Sequence, residues 1–227
     1  MKIIAANWKM NGSVAFAENF IREINQIDVD NTVIVCPPIE LIREFVGFRY
    51  HIGAQNCFYE EEGAFTGEIS PKLLKEIKCK YVILGHSERR ALFHETDDII
   101  CKKCAAAIKC GLIPIICIGE RLEDRDNWKN VLANQLNLFL NNLSNNIIFA
   151  YEPVWCIGSG EIPNIGEIEN VFEFIKNILG SSSNYLLYGG SVNAKNAPQI
   201  ANCKNADGLL IGGSSLKIDE FKKIIQI

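Results

Sequence analysis

The sequence predicts an α/β protein, a single eight-stranded parallel (β/α) barrel occupying residues 1–227. Three observations predict it. Short apolar runs alternate with longer amphipathic ones, the pair recurs eight times, and no linker rich in proline, glycine or serine divides the series. Eight units is the closing number of the barrel, which commonly forms one domain of about 200–250 residues. A chain of 227 residues fits that size.

In order, the strand-like runs are Ile3–Trp8, Thr32–Cys36, His51–Gln55, Tyr81–Leu84, Leu112–Ile118, Ile147–Tyr151, Tyr185–Tyr188 and Gly208–Ile211. Each is short, apolar and rich in isoleucine, leucine or valine, as parallel strands covered on both faces tend to be. Helical patterns follow them near 14–27, 38–46, 70–78, 96–110, 127–143, 164–179, 194–201 and 219–226. In 96–110 the pattern is carried by Ile99, Ile100, Ala105, Ala107 and Ile108; in 127–143, by Val131, Leu132, Gln135, Leu136, Phe139 and Leu140 at helical spacing. Asn164, with Glu167 three residues on, has the form of a capping box opening the helix at 164–179. Asn141-Asn142 and Ser181-Ser182-Ser183-Asn184 read as solvated turns.

Composition narrows the function. Hydrophobic content of 48% supports a sizeable core, and a net charge of -4 leaves no basic footprint for nucleic acid. The start, Met1 to Asn7, turns polar too soon for a secretory core of roughly 7–15 apolar residues, and no run approaches the ~20 that span a bilayer. The expectation is a cytoplasmic protein with no nucleic-acid or membrane partner. Nine cysteines scattered through apolar patterns then read as reduced, packed thiols. Cys101-Lys102-Lys103-Cys104 has the spacing of a redox pair but lies inside a helical pattern, which favours packing. His51, His86 and His94 form no helical pair and no zinc-type cluster, so no metal is expected.

Chemistry gathers at strand ends. Glu152, in Tyr151-Glu152-Pro153-Val154-Trp155, closes a buried strand just ahead of a glycine-punctuated loop, at the end where such barrels keep their sites. A carboxylate there is costly to desolvate unless it is used or paired. Asn7 and Lys9 follow the first strand and His86 the fourth, so all four residues would face one mouth. A carboxylate, an imidazole and an ammonium supply a base, a hydrogen-bond donor and a fixed positive charge, the equipment for removing a proton beside a carbonyl and stabilising an enediolate. Gly189-Gly190-Ser191 and Gly212-Gly213-Ser214-Ser215 follow the last two strands, the phosphate position of many barrels. Their amides can close on an anion, helped by a short helix starting at Ser214 or Ser215. Gly158-Ser159-Gly160 is a third candidate turn; no Walker lysine or dinucleotide fingerprint accompanies any of them, so no cofactor is implied.

The strings Asn7-Trp8-Lys9-Met10-Asn11, Gly85-His86-Ser87-Glu88-Arg89-Arg90, Tyr151-Glu152-Pro153-Val154-Trp155, Tyr188-Gly189-Gly190-Ser191-Val192 and Gly212-Gly213-Ser214-Ser215-Leu216 resemble, in order and along nearly the whole chain, the triosephosphate isomerase family. That family is itself a standard illustration of a glutamate base paired with a neutral histidine electrophile beneath a closing loop. The resemblance implies the TIM barrel fold and a cofactor-independent interconversion of D-glyceraldehyde 3-phosphate and dihydroxyacetone phosphate, in glycolysis and gluconeogenesis. By resemblance Glu152 shuttles the proton, His86 polarises the carbonyl, Lys9 supplies charge and Asn7 helps bind a small phosphorylated triose. The phosphate would sit among amides of Gly158, Ser191, Gly212 and Gly213. Glu88 and Glu95 are supporting acids, read equally as salt-bridge partners of Lys9 or Arg89, and Cys117 packs behind the site.

The resemblance also implies a lid at 153–163. Its far hinge departs from the family in reading Glu161-Ile162-Pro163, and Pro163, which fixes φ and lacks a donor, is expected to alter opening kinetics. The chain is somewhat shorter than a typical member, with an abbreviated segment around Arg125–Trp128. Gln55 through Ile69, around Thr66, resembles the loop that reaches into a neighbouring subunit near Lys9 and His86, which implies a homodimer. Two rivals stand beside this reading: another sugar-phosphate barrel enzyme, such as an epimerase or aldolase, and a binding barrel with a vestigial site. A Schiff-base aldolase needs its lysine on an inner strand, whereas Lys9 lies past a strand end.

Overall fold

The computed structural model describes residues 1–142, 147–157, 162–180 and 184–227. Strands β1 (Ile3–Asn7), β2 (Thr32–Cys36), β3 (His51–Ala54), β4 (Tyr81–Leu84), β5 (Ile113–Ile118), β6 (Ile148–Tyr151), β7 (Tyr185–Tyr188) and β8 (Gly208–Ile211) pair in parallel with their sequence neighbours, and β8 returns to β1 to close the barrel. Around them lie helices α1 (Val14–Ile24), α2 (Pro71–Glu76), α3 (Ser87–Leu92), α4 (Asp97–Lys109), α5 (Trp128–Asn142), α6 (Ile165–Leu179), α7 (Ala197–Ala201) and α8 (Ile218–Ile225).

The two-residue period of a strand divides the core in two. Ile3, Ala5, Ile34, Cys36, Ile83, Ile115, Cys117, Ile148, Ala150, Leu187 and Leu210 fill the barrel interior. Ile4, Ala6, Val33, Val35, Ile116, Phe149 and Ile211 pack outward against the helices. Continued one step, the same period carries Asn7 and Glu152 onto the interior face at the C-terminal mouth. Trp8 faces outward, fully buried edge-on against Phe16, Phe20 and Phe45 at centroid distances of 5.0, 4.9 and 5.6 Å. Burying such a ring contributes about 1.5–3 kcal/mol and anchors the turn that carries Lys9.

Local chemistry explains where the elements begin. Ser13, Ser70 and Thr96 accept backbone N–H groups at the starts of α1, α2 and α4, and the Asn164/Glu167 capping box at α6 is present. Asn141 and Asn142, read as a turn, are the last residues of α5; two helices also need correction and one is unexpected. The helix near 38–46 is a 3-10 helix, Ile39–Phe45, entered through Pro37-Pro38 and still burying Leu41, Ile42 and Phe45. The helix near 194–201 shrinks to Ala197–Ala201, because Asn193 Oδ1 takes the N–H groups of Lys195 and Asn196 into a local turn. Helix α3 has no apolar stripe, since it reads Ser-Glu-Arg-Arg-Ala-Leu with Leu92 exposed, and periodicity alone misses it. The nine cysteines are free thiols, most of them buried; burial pushes the Cys57 and Cys79 thiols up to about 12.

Candidate active site

Glu152 follows the last residue of β6 and is 2% exposed. Its N–H donates to Ile118 O at 2.8 Å, extending the β5–β6 ladder one rung past the strand. Its Oε2 accepts the Ser87 N–H at 3.0 Å. Oε1 stands 3.2 Å from His86 Nε2 and accepts no N–H or O–H among the described residues, while the Cys117 thiol lies within hydrogen-bonding reach of the carboxylate from below. One oxygen of a buried carboxylate is therefore free to take a proton. A Cβ on Gly189 would lie 3.0 Å from Glu152 Cγ, so the glycine leaves room for the side chain.

His86 is held by the helix it opens. As the N-cap of α3, it accepts the Glu88 N–H on Nδ1 at 3.2 Å. An atom that accepts that bond carries no proton, so the ring of the neutral side chain bears its hydrogen on Nε2, the nitrogen that faces Glu152.

Lys9 adopts the left-handed conformation at φ 53°, stabilised on both sides. Asn7 Oδ1 accepts its N–H at 3.0 Å, while Gln55 Nε2 donates to Lys9 O at 2.8 Å and to Cys36 O at 2.9 Å. The ammonium pairs with Glu88 Oε1 at 2.5 Å, and its stem passes Gly212, where a Cβ would meet Lys9 Cε at 3.5 Å. The cation thus lies between His86's helix and the second glycine turn.

At that turn the expected helix from Ser214 or Ser215 is a single 3-10 turn, Gly213–Leu216, and α8 starts only at Ile218. At the other glycine turn, Ser191 Oγ donates to Cys156 O at 2.7 Å and Asn196 Nδ2 to Ser191 O at 3.0 Å. Gly190 is required there, because a Cβ would stand 2.3 Å from Tyr188 Oη. Gly158, the neighbouring Ser159-Gly160, and Glu161 of the expected lid lie outside the described residues. The mouth thus joins Asn7, Lys9, His86 and Glu152 with Ser191, Gly212 and Gly213 at the C-terminal ends of the strands. Among the described residues, no group of three or more His, Cys, Asp or Glu residues is placed to hold a metal ion. No helix among them is long and apolar enough to cross a membrane.

A family model described as triosephosphate isomerase matches residues 2–227. The chain belongs to the triosephosphate isomerase family. Among relatives bearing that name, the one from Dehalococcoides mccartyi (strain ATCC BAA-2266 / KCTC 15142 / 195) is 42% identical over 242 residues, spanning 98% of this chain and 95% of the relative. The one from Wolbachia sp. subsp. Brugia malayi (strain TRS) is 42% identical over 230 residues, spanning 99% and 96%. The one from Francisella tularensis subsp. mediasiatica (strain FSC147) is 40% identical over 242 residues, spanning 99% and 96%.

Behind the residues that resemble other triosephosphate isomerases lies a supporting layer that the sequence does not announce. Buried Glu120 accepts the Tyr151 hydroxyl and the Trp155 indole N–H, each at 3.0 Å, gripping the segment on both sides of Glu152. Burial holds the Glu120 carboxyl above the usual carboxylate range, and its Oε2 lacks a partner among the described residues. Glu95 Oε1 pairs with Arg89 Nε and Lys103 Nζ, both at 2.6 Å, and Lys103 donates to Asn56 Oδ1 at 2.9 Å beneath the Lys9 side of the mouth. Glu88 and Glu95 thus have the salt-bridge partners expected of them. Cys117 lines the barrel below Glu152; burial, then the Glu152 charge, push its thiol well up, so it packs as a neutral group. Gln55, Asn56 and Ser87 lay within matched segments but gave no signal of their individual roles, because a polar residue beside a strand end or helix start is ordinarily solvated.

Proposed function

We propose that the chain interconverts D-glyceraldehyde 3-phosphate and dihydroxyacetone phosphate without a cofactor, as one catalytic domain. The observation that carries this reading is the buried Glu152 carboxylate, its Oε1 3.2 Å from His86 Nε2, the ring nitrogen that the bond accepted by Nδ1 leaves to carry the proton. Glu152 removes the proton from the carbon next to the substrate carbonyl and returns it to the adjacent carbon. His86 Nε2–H donates to the carbonyl oxygen and to the enediolate that forms, and the hydroxyl proton moves from one substrate oxygen to the other beside this ring, so that the old carbonyl becomes the hydroxyl; a neutral imidazole is a better-matched donor to a weakly acidic enediol than an imidazolium. Lys9 places a positive charge near the developing oxyanion and the phosphate, and Asn7 orients Lys9 while contacting substrate. The amides of Gly158, Ser191, Gly212 and Gly213 receive the phosphate, where backbone donors serve an anion without side-chain bulk.

The same reading pairs two copies of the chain through the finger around Thr66. Its base is closed by the Phe58 N–H donating to Ile69 O at 2.7 Å, and Thr66 at its tip is exposed. A cleft of about 410 Å³ beside Asn7, Lys9, Gln55 and His86, bordered by exposed Met10, Leu92 and Phe93, supports the fit. Free thiols throughout suit the cytoplasm. The deciding experiment assays isomerisation in both directions without added metal or nucleotide, with Glu152→Gln alongside. Loss of turnover in the variant, with binding of inorganic phosphate retained by calorimetry, is the expected result; an undiminished Glu152→Gln enzyme would overturn the assignment. Sedimentation at assay concentration tests the dimer, which an active monomer contradicts.

A further inference from the structure

We infer that Gln135, on the outer helix α5, is a positioning residue for the base; the inference rests on Glu152 being that base. Gln135 is nearly fully buried, and its amide engages both backbone polar groups of Gly119. Oε1 accepts the Gly119 N–H at 3.0 Å and Nε2 donates to Gly119 O at 3.3 Å.

Gly119 needs these bonds because its strand neighbour stops short. In the β4–β5 register Leu84 pairs with Ile116, and β4 ends there, so Gly119 has no strand to pair with on that side. Gly119 is half-buried, and the side of it that faces α5 is turned from water, so an N–H and C=O left without partners there would be costly. On the other side, residues 118–120 run along the base like a splint: the Glu152 N–H donates to Ile118 O at 2.8 Å and the Val154 N–H to Glu120 O at 3.1 Å. Gly119 is the middle of this splint and touches the Glu152 peptide so closely that a Cβ would stand 1.8 Å from Glu152 O. A shift of Gly119 is therefore handed directly to Glu152. By anchoring Gly119 from behind, Gln135 sets the depth at which the carboxylate enters the mouth.

Gln135→Met preserves length and apolar packing but removes both hydrogen bonds. We expect kcat to fall about tenfold, the scale on which small misplacements of a reacting group act. KM and the inhibition constant of inorganic phosphate should stay within about twofold, since the phosphate turns are untouched. The deuterium isotope effect on substrate proton removal should rise. In the Glu152→Gln background the same change should cost nothing further, because residues acting through one group are not additive. A lower melting temperature with unchanged kcat, or additive losses in the double variant, would overturn the inference and leave Gln135 a packing residue. If Gln135→Met does not fold, Gln135→Leu, which also removes both hydrogen bonds, is read in the same way, and normal kcat overturns the inference. A wild-type chain without isomerase activity would instead refute the functional reading itself.

Discussion

Lys103 and Glu95 pair at 2.6 Å with only 5% of each side chain exposed, so a full ion pair sits inside the protein beneath the Lys9 side of the mouth. Arg89 shares the same Glu95 oxygen at 2.6 Å, and Asn56 takes another Lys103 proton at 2.9 Å. Removing Lys103 leaves Glu95 with Arg89 as its remaining cation and Asn56 Oδ1 without its donor. Lys103→Met is expected to destabilise the fold by about 1–3 kcal/mol. At about 2–4 °C per kcal/mol for a chain of this size, thermal unfolding reads that loss directly. An unchanged midpoint would mean that solvent replaces the lysine.

The hydrogen bond from the Glu88 N–H to His86 Nδ1 predicts a single tautomer. Nitrogen NMR at neutral pH should find Nδ1 bare and the proton on Nε2; a protonated Nδ1 would contradict the geometry. His86→Leu, which deletes the donor, should lower kcat by about 10²–10³-fold.

Gly119 tolerates no side chain. With a Cβ 1.8 Å from Glu152 O, Gly119→Ala must displace one of the two backbones. We expect a loss in kcat/KM of about 10²-fold, the scale of a 1 Å misplacement. Steady-state kinetics on the folded variant, checked by circular dichroism, decide the point, and near-normal turnover would show that the β5–β6 ends move freely.

Glu120 makes stability depend on pH. Burial raises its carboxyl above the ordinary value, outweighing the hydrogen bonds from Trp155 and Tyr151 that act the other way. The folded state then holds this proton to a higher pH than the unfolded chain does. Its contribution is complete below the ordinary glutamate range, roughly pH 4–5, and is lost as pH rises through the folded-state value. Urea denaturation between pH 4 and about 7 should show a downward component that Glu120→Gln removes. Identical slopes in the two proteins would exclude Glu120 as its source.

How much of this was legible in the chain follows from the range of each interaction. The strands declared themselves because apolar runs such as Ile147-Ile148-Phe149-Ala150 are local, as is the Asn164/Glu167 capping box. Glu152, His86, Lys9 and the two glycine turns stood out as unexpected residues at strand ends. Helix α3 escaped notice because it buries no stripe, and α7 was overextended because a side-chain turn at Asn193 competes with helix.

The sequence by itself determined the eightfold alternation, the parity that turns Asn7 and Glu152 inward, and the chemical kinds of group available at the mouth. Only the tertiary structure decided which oxygen of Glu152 is free, which nitrogen of His86 carries the proton, and that Gln135, Glu120 and Lys103 support the site from behind. The division is physical. Patterning along a strand or helix is a short-range property written in consecutive residues. A hydrogen bond between positions 87 and 152, or a backbone contact between 119 and 152, exists only once a closed barrel has brought distant strand ends within a few ångströms.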